Sequence, residues 1–377
     1  MTDITKIKLA RILAGAAFWI SIGILFLMSN GLSTAQAYQL ISIYYFAVVV
    51  LEYPSGVLGD HFSHKTALIA GFTALGIALV ALGIGGGFWY IFAWLILAAF
   101  GISLVSGSDT ALTHRLSSNF KKDQSQIKIY ITISLVVATI LGPLLYKIYP
   151  GLPFIMTGMM NFVAACLVWR IRTRINGSGE SNIYRTAATG LIEIRQKPKI
   201  LGLLVLSALS VAFLVSLKWF YNPLLQSMGI PLQFWGLVMG FALLLPLVGI
   251  KLYRLSKKAH IVAAFLLLLV VIVPIGYIQL AAISIGAVYV AYIISGYLDI
   301  ATDVALNETI QSSSRASILS LGSLISRLAA SAYLPLAGLV IEKSTFMHLT
   351  VGTAIAMALL AGPFIFLVMQ KVPQHQR

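Results

Sequence analysis

Acidic residues and cysteine are what this sequence has least of. Eleven Asp and Glu stand among 377 residues, beside 26 Lys and Arg and one cysteine. The single Cys166 excludes a disulfide within the chain and a cysteine metal site. Charged residues of both signs make up 10% of the total, where soluble proteins carry about 25%. A surface that apolar is not held in water, so the expected solvent is lipid. Three catalytic signatures are also missing: the G-x-x-x-x-G-K-[ST] phosphate loop, H-E-x-x-H and G-x-S-x-G. The expectation is a protein that is not an enzyme, with no catalytic residues, no metal site and no cofactor. Gly85-Gly86-Gly87 reads as a short outer turn rather than a nucleotide cradle.

The formal net charge of +15 raises nucleic acid as a partner. The basic residues stand in short clusters between apolar runs, however, and form no continuous face. No nucleic-acid partner is expected. Membrane topology accounts for the pattern instead.

What the sequence does have is hydrophobic length. Hydrophobic residues make up 59% of the chain and the mean hydropathy is +0.94. A spanning helix takes about 20 apolar residues. Twelve such runs are present: 9–30, 36–58, 66–85, 88–110, 127–149, 152–172, 199–222, 233–252, 259–279, 282–308, 316–341 and 347–371. They are continuous rather than alternating, which excludes a β-barrel reading. The first run is followed by Ala35-Gln36-Ala37, which has the pattern of a cleavage site. A signal peptide's apolar region is only about 7–15 residues, so this run is expected to stay as the first span.

Lys and Arg give the orientation. With the N-terminus in the cytoplasm, 22 of the 26 fall inside. The exceptions are Lys147 and Lys343 at outer ends, and Lys218 and Arg327 within spans. Both termini are then expected in the cytoplasm. The longest polar stretch, 173–198, begins as a Gly/Ser linker and continues as a candidate amphipathic helix over 183–195. It separates an N-terminal six-helix bundle, 1–172, from a C-terminal one, 199–377.

The two halves resemble each other at a nearly constant offset. Asp109-Thr-Ala-Leu-Thr-His114 matches Asp303-Val-Ala-Leu-Asn-Glu308, 194 residues on. Gly56, Ser63 and Lys65 match Gly249, Ser256 and Lys258 at 193. Pro143 matches Pro335 at 192. The matches fall at corresponding places in the two halves. The expected fold is an all-α membrane protein with 12 transmembrane helices in two pseudo-symmetric six-helix bundles.

Between spans 2 and 3 the sequence reads Gly56-Val-Leu-Gly-Asp60-His-Phe-Ser-His64-Lys65. This resembles the G-x-L-[AG]-D-R-x-G-R-[RK] signature of the major facilitator superfamily. Gly56, Leu58, Gly59, Asp60 and Lys65 fit; His61, Ser63 and His64 replace the usual Arg, Gly and Arg. Glu52-Tyr-Pro54 and Ser106-Gly107-Ser-Asp109 resemble the drug- and metabolite-efflux branch. The resemblance implies a gating motif made of Gly56, Gly59, Asp60 and Lys65. In that role Asp60 caps the N-terminus of helix 11 in one conformation and releases it in another. Gly142-Pro143-Leu-Leu-Tyr146 only partly fits the antiporter run G-P-x-x-G, since Tyr146 takes the last glycine's place.

Ionisable groups within spans are costly and serve as functional candidates. Asp299 and Arg327 fall at matching depth, about 14 and 16 Å from the inner ends of spans 10 and 11 at ~1.5 Å per residue. They are expected to pair, or to bridge through substrate. Asp299, Asp303 and Asn307 repeat every fourth residue and share a face. Glu52, Asp109 and Arg11 all lie in the inner third of the first half, a candidate gate cluster. Glu52, Asp109 and Asp299 are the proton-coupling candidates; Asp299, Arg327, Asp303, Trp19 and Tyr297 are the substrate-binding ones. Lys218, beside Trp219, reads as an interfacial residue.

The resulting functional expectation is a secondary transporter in a bacterial inner membrane, acting as a monomer by rocker-switch alternating access. Its partners are the lipid bilayer and a small-molecule substrate, and its energy source is the proton gradient. Proton-coupled export of a drug, siderophore-like chelator or other metabolite leads. Proton-coupled import of a sugar or organic acid, and translocation of a lipid or amphiphile, are the alternatives.

Overall fold

The computed structural model describes residues 1–172, 193–256, 260–310 and 315–369. Side chains are described throughout these except at 53, 55–62, 315–317 and 320. The expected amphipathic helix at 183–195 lies almost wholly outside the described residues.

In hydrocarbon no water satisfies backbone polar groups, so an apolar run must bond internally. The described residues accordingly fold into helices, with no strand among them. The helices are α1 (Asp3–Ala14), α2 (Gly23–Ser29), α3 (Thr34–Phe62), α4 (His64–Ile84), α5 (Phe88–Val105), α6 (Ser108–Leu116), α7 (Phe120–Ile148) and α8 (Leu152–Trp169). They continue as α9 (Pro198–Ser227), α10 (Leu232–Ala242), α11 (Leu245–Leu255), α12 (Ile261–Ile275), α13 (Ala281–Thr309), α14 (Arg315–Lys343) and α15 (Phe346–Met369).

Among the described residues the fifteen helices can be grouped into the twelve expected runs, three of which are interrupted. Span 1 is α1 plus α2, span 4 is α5 plus α6, and span 8 is α10 plus α11. Among the described residues, ten helical segments are long and apolar enough to cross a membrane. The 15-residue α12 and the broken first span complete the set. The Gly85–Gly87 turn joins α4 to α5 as expected.

The junction after α3 is shorter than the sequence implies. Helix α3 runs on to Phe62 and α4 begins at His64, so Ser63 alone forms the turn. Gly56, Gly59 and Asp60 therefore occupy the last turns of a helix rather than a loop; their surroundings lie outside the described side chains. Ser63 has φ 123°, a conformation that favours glycine. Its hydroxyl caps α4, accepting from the Thr66 N–H at 3.2 Å.

The helices gather into two compact units. One is Met1–Glu180 with Trp219–Leu243; the other is Ser181–Lys218 with Leu244–Arg377. In the first, α1, α4, α6 and α8 share a core of Ile7, Leu68, Phe72, Leu112 and Val168. In the second, α11 lies against α13 closely enough to need glycine on both sides. A Cβ on Gly249 would lie 2.0 Å from the Ile293 carbonyl oxygen, and one on Gly296 would lie 2.3 Å from that of Pro246.

Candidate transport site

The broken first span defines the site. Span 1 reads as one continuous helix from its composition, with no proline to stop it. Yet residues 15–22 leave the helix, bracketed by Gly15 and Gly23. Non-helical backbone at membrane depth must find other partners; turn bonds such as Ile20 N–H to the Ala17 carbonyl supply some, and side chains supply others. The Phe18 N–H donates to Thr157 Oγ1 at 3.1 Å. The Ile24 N–H donates to Asn222 Oδ1 at 2.9 Å, and Asn222 Nδ2 donates to the Ser21 carbonyl at 2.9 Å. Ser21 Oγ donates to the Thr139 carbonyl at 2.8 Å. One asparagine thus serves a carbonyl of the break and an amide in the first turn of α2.

Helix α7 approaches the same break. A Cβ on Gly142 would lie 2.1 Å from the Phe18 carbonyl oxygen. The Gly142-Pro143 pair is therefore a close-packing point against span 1, which its weak match to an antiporter motif did not reveal.

Unwinding leaves room. A cavity of about 280 Å³ lies beside the break, in the first unit. One wall is a row of rings. Trp19 stacks on Trp219 at a centroid separation of 5.5 Å and 20° between planes. It also stacks on Phe154 at 6.1 Å and 16°. Trp219 is fixed by its indole N–H, which donates to Tyr45 Oη at 3.2 Å, and by Tyr38 Oη, which donates to its carbonyl at 3.0 Å. Tyr44, Leu79, Thr157 and Asn161 line the remainder.

Just before the break, at the end of α1, Arg11 is nearly buried, at 8% exposure. Its Nη2 lies 2.7 Å from Asp109 Oδ2. Its Nη1 donates to Thr113 Oγ1 at 3.1 Å and to Gln124 Oε1 at 2.8 Å. Asp109 sits in the first turn of α6, where the helix dipole favours an anion, and its Oδ1 accepts from the Thr110 N–H at 2.6 Å. Gly107, with φ 81°, makes the turn that brings α6 here from α5. Two members of the candidate gate cluster are thereby joined. Glu52 is partly buried on α3.

The other predicted residues are distributed as follows. Lys65 donates to the Ile171 carbonyl at 2.5 Å, just beyond the end of α8. Asp299 and Asp303 are both exposed on α13, and Asn307 Nδ2 donates to Asp303 Oδ1 at 3.0 Å. Exposed carboxylates within a span indicate a face turned to water rather than lipid. Asp299 also lines a cavity of about 260 Å³ in the second unit, with Ser207, Ser210 and Ser295. Arg327 is partly buried on α14. Tyr297 sits elsewhere: its hydroxyl accepts from the His260 N–H at 3.0 Å, and its ring meets Tyr253 edge-on.

Three residues of the site escape a reading based on charge. Thr157, Asn161 and Asn222 are neutral, so nothing marks them as unusual in an apolar run. For the two asparagines the available signal is the side-chain amide, because a buried Asn in lipid must be hydrogen-bonded.

Comparison with known proteins agrees with this architecture. The nucleoside transporter NupG superposes with a TM-score of 0.82 at 14% identity, covering 98% of this chain and 100% of that one. A bacterial homologue of the human lysosomal transporter Spinster, inward-facing and unoccupied, gives 0.76 at 13% identity, with 97% and 96% covered. A D-xylose-proton symporter gives 0.73 at 12% identity, with 99% and 98% covered. These likenesses concern the fold. A search of curated protein sequences found no match. The family model of the Major Facilitator Superfamily matches residues 8–333. With the helical fold and this match in agreement, the chain belongs to the Major Facilitator Superfamily, a family of multi-pass membrane transporters.

Proposed function

We propose that the chain is a proton-coupled exporter of a small organic molecule, of the efflux-like branch, working by rocker-switch alternating access. The observation that carries this reading is the cavity at the broken first span. An interrupted helix beside a cavity is a recurring way to build a transport site in lipid. Its walls are apolar and aromatic, which suits a hydrophobic metabolite or drug. A sugar needs many hydrogen-bonding groups, and the apolar walls therefore speak against the importer alternative.

In this reading the Arg11–Asp109 pair is the coupling element. Protonation of Asp109 weakens its hold on Arg11, and the end of α1 and the break beyond it then rearrange. Glu52 is a second proton carrier. Asp299, with Arg327 and Asp303, serves substrate or protons in the second half, and Asp60 latches helix 11. The protein works as a monomer in a bacterial inner membrane, with both termini cytoplasmic.

Flux in oriented vesicles tests the proposal. Everted vesicles with an acid interior should accumulate a labelled aromatic compound, and a protonophore should abolish the accumulation. Accumulation in right-side-out vesicles driven by an inward proton gradient would replace export with import.

A further inference from the structure

The end of α8 carries positive charge that the transport site does not use. We propose that it holds the headgroup of an anionic phospholipid, with the phosphate on Arg170 and Arg172 and an acyl chain along the exposed face of α8. This holds whatever molecule the protein transports.

A cleft of about 660 Å³ lies where the start of α1 meets the end of α8, with Asp3, Lys6, Trp169, Arg170 and Arg172 in its lining. Hydrogen bonds fix its shape. Lys6 Nζ donates to Asp3 Oδ1 at 2.7 Å and to the Arg170 carbonyl at 2.8 Å. Asp3 Oδ2 accepts from the Arg172 N–H at 3.1 Å. Lys65, on α4, donates to the Ile171 carbonyl. The carboxylate of the cleft is thus matched by Lys6, and both lysines are committed to backbone carbonyls. The two arginines are not. Arg170 and Arg172 are exposed, and among the described residues neither forms an ion pair. Two such guanidinium groups on one cleft suit a phosphodiester, which accepts paired N–H bonds from arginine.

A soluble phosphate would meet the same charge, but the surface beside the arginines points to a lipid. Met159, Val163, Cys166 and Arg170 are exposed on and just after α8. Their spacing places them in one stripe along the helix. Trp169, the last residue of α8, is 68% exposed, as befits an aromatic anchor at the membrane–water interface. The stripe is therefore apolar up to the tryptophan and cationic just beyond it. A phospholipid has the same order, acyl chain first and charged headgroup after. Basic pockets at the ends of spanning helices recognise anionic headgroups in this way.

The test uses Trp169 as its reporter, because bromine quenches tryptophan on contact. The full chain is placed in phosphatidylcholine nanodiscs that contain a rising fraction of either brominated phosphatidylglycerol or brominated phosphatidylcholine. The Trp169 signal is the wild-type fluorescence minus that of Trp169→Phe. Half-maximal quenching should need about ten-fold less phosphatidylglycerol than phosphatidylcholine, given two arginines at the site. The double variant Arg170→Gln, Arg172→Gln should bring the two lipids level. Equal quenching by the two lipids in the wild type overturns the proposal, as does a preference that survives in the double variant. The wild-type comparison decides alone if the double variant does not insert. Inorganic phosphate, set against chloride at equal ionic strength, should leave the preference intact. A preference abolished by phosphate and kept in chloride would make this a site for a soluble anion and overturn the lipid assignment.

Discussion

Gly142 on α7 faces the Phe18 carbonyl in the unwound part of the first span, with room for a hydrogen and nothing larger. A Cβ at Gly142 would lie 2.1 Å from that oxygen and 2.8 Å from Ser21 Oγ. The broken helix and the helix that supports it are fitted to each other at this point.

Gly142→Ala is therefore expected to push α7 away from span 1. Overpacking of this kind costs about 1–3 kcal/mol. Thermal unfolding in detergent should show a lowered Tm, and flux should fall further than the stability loss alone accounts for, because the same contact shapes the cavity. A variant with unchanged Tm and flux would mean that the close approach has no functional consequence.

The Arg11–Asp109 pair predicts a second effect. Hydrogen bonds to charged groups contribute about 1.5–3 kcal/mol each. Asp109→Asn should cost roughly that amount, because Arg11 keeps its charge at 8% exposure and loses its counter-ion. The coupling reading adds that the variant should bind substrate but lose the proton dependence of flux. A loss of stability with full proton dependence would make the pair structural only.

Ser63 predicts a gain. A non-glycine residue at φ 123° carries about 1–3 kcal/mol of backbone strain, while exchanging a Ser cap for Gly costs only a few tenths of a kcal/mol. Ser63→Gly should raise stability by about 1 kcal/mol. Ser63→Ala keeps the strain and loses the bond to Thr66, so it should lower stability by about the same amount. The order of the three Tm values, Gly above Ser above Ala, is the check. The family signature that this sequence resembles has glycine at this position, and the single-residue turn provides a physical reason for it.

Asp299 gives a fourth prediction. If it carries substrate or protons, Asp299→Asn should shift the pH profile of flux with little change in Tm, since the side chain is exposed. An unchanged profile would remove Asp299 from the mechanism.

Much of the fold was legible in the sequence because lipid imposes a simple rule: apolar length means a spanning helix. The apolar runs that became helices and the glycine turn at Gly85–Gly87 follow from it. The interruptions were not legible. Helix breaking in span 1 depends on Thr157 and Asn222, far away in sequence, and local composition carries no trace of that partnership. The pairing of Arg11 with Asp109 was within reach, because both are charges at similar depth. The roles of Thr157 and Asn161 were not, because a neutral side chain in an apolar run reads as packing. Trp19 stands out in the sequence as an aromatic residue, but only the structure shows that it stacks on Trp219 and on Phe154.

The central claim is that the cavity at the broken first span carries the transported molecule. Gradient-driven accumulation of labelled aromatic compounds in everted vesicles, compared between the wild type and Trp219→Ala, tests it most directly. The account predicts accumulation by the wild type and loss of most of it in Trp219→Ala, with the variant still folded and inserted. Equal accumulation by both proteins would contradict it.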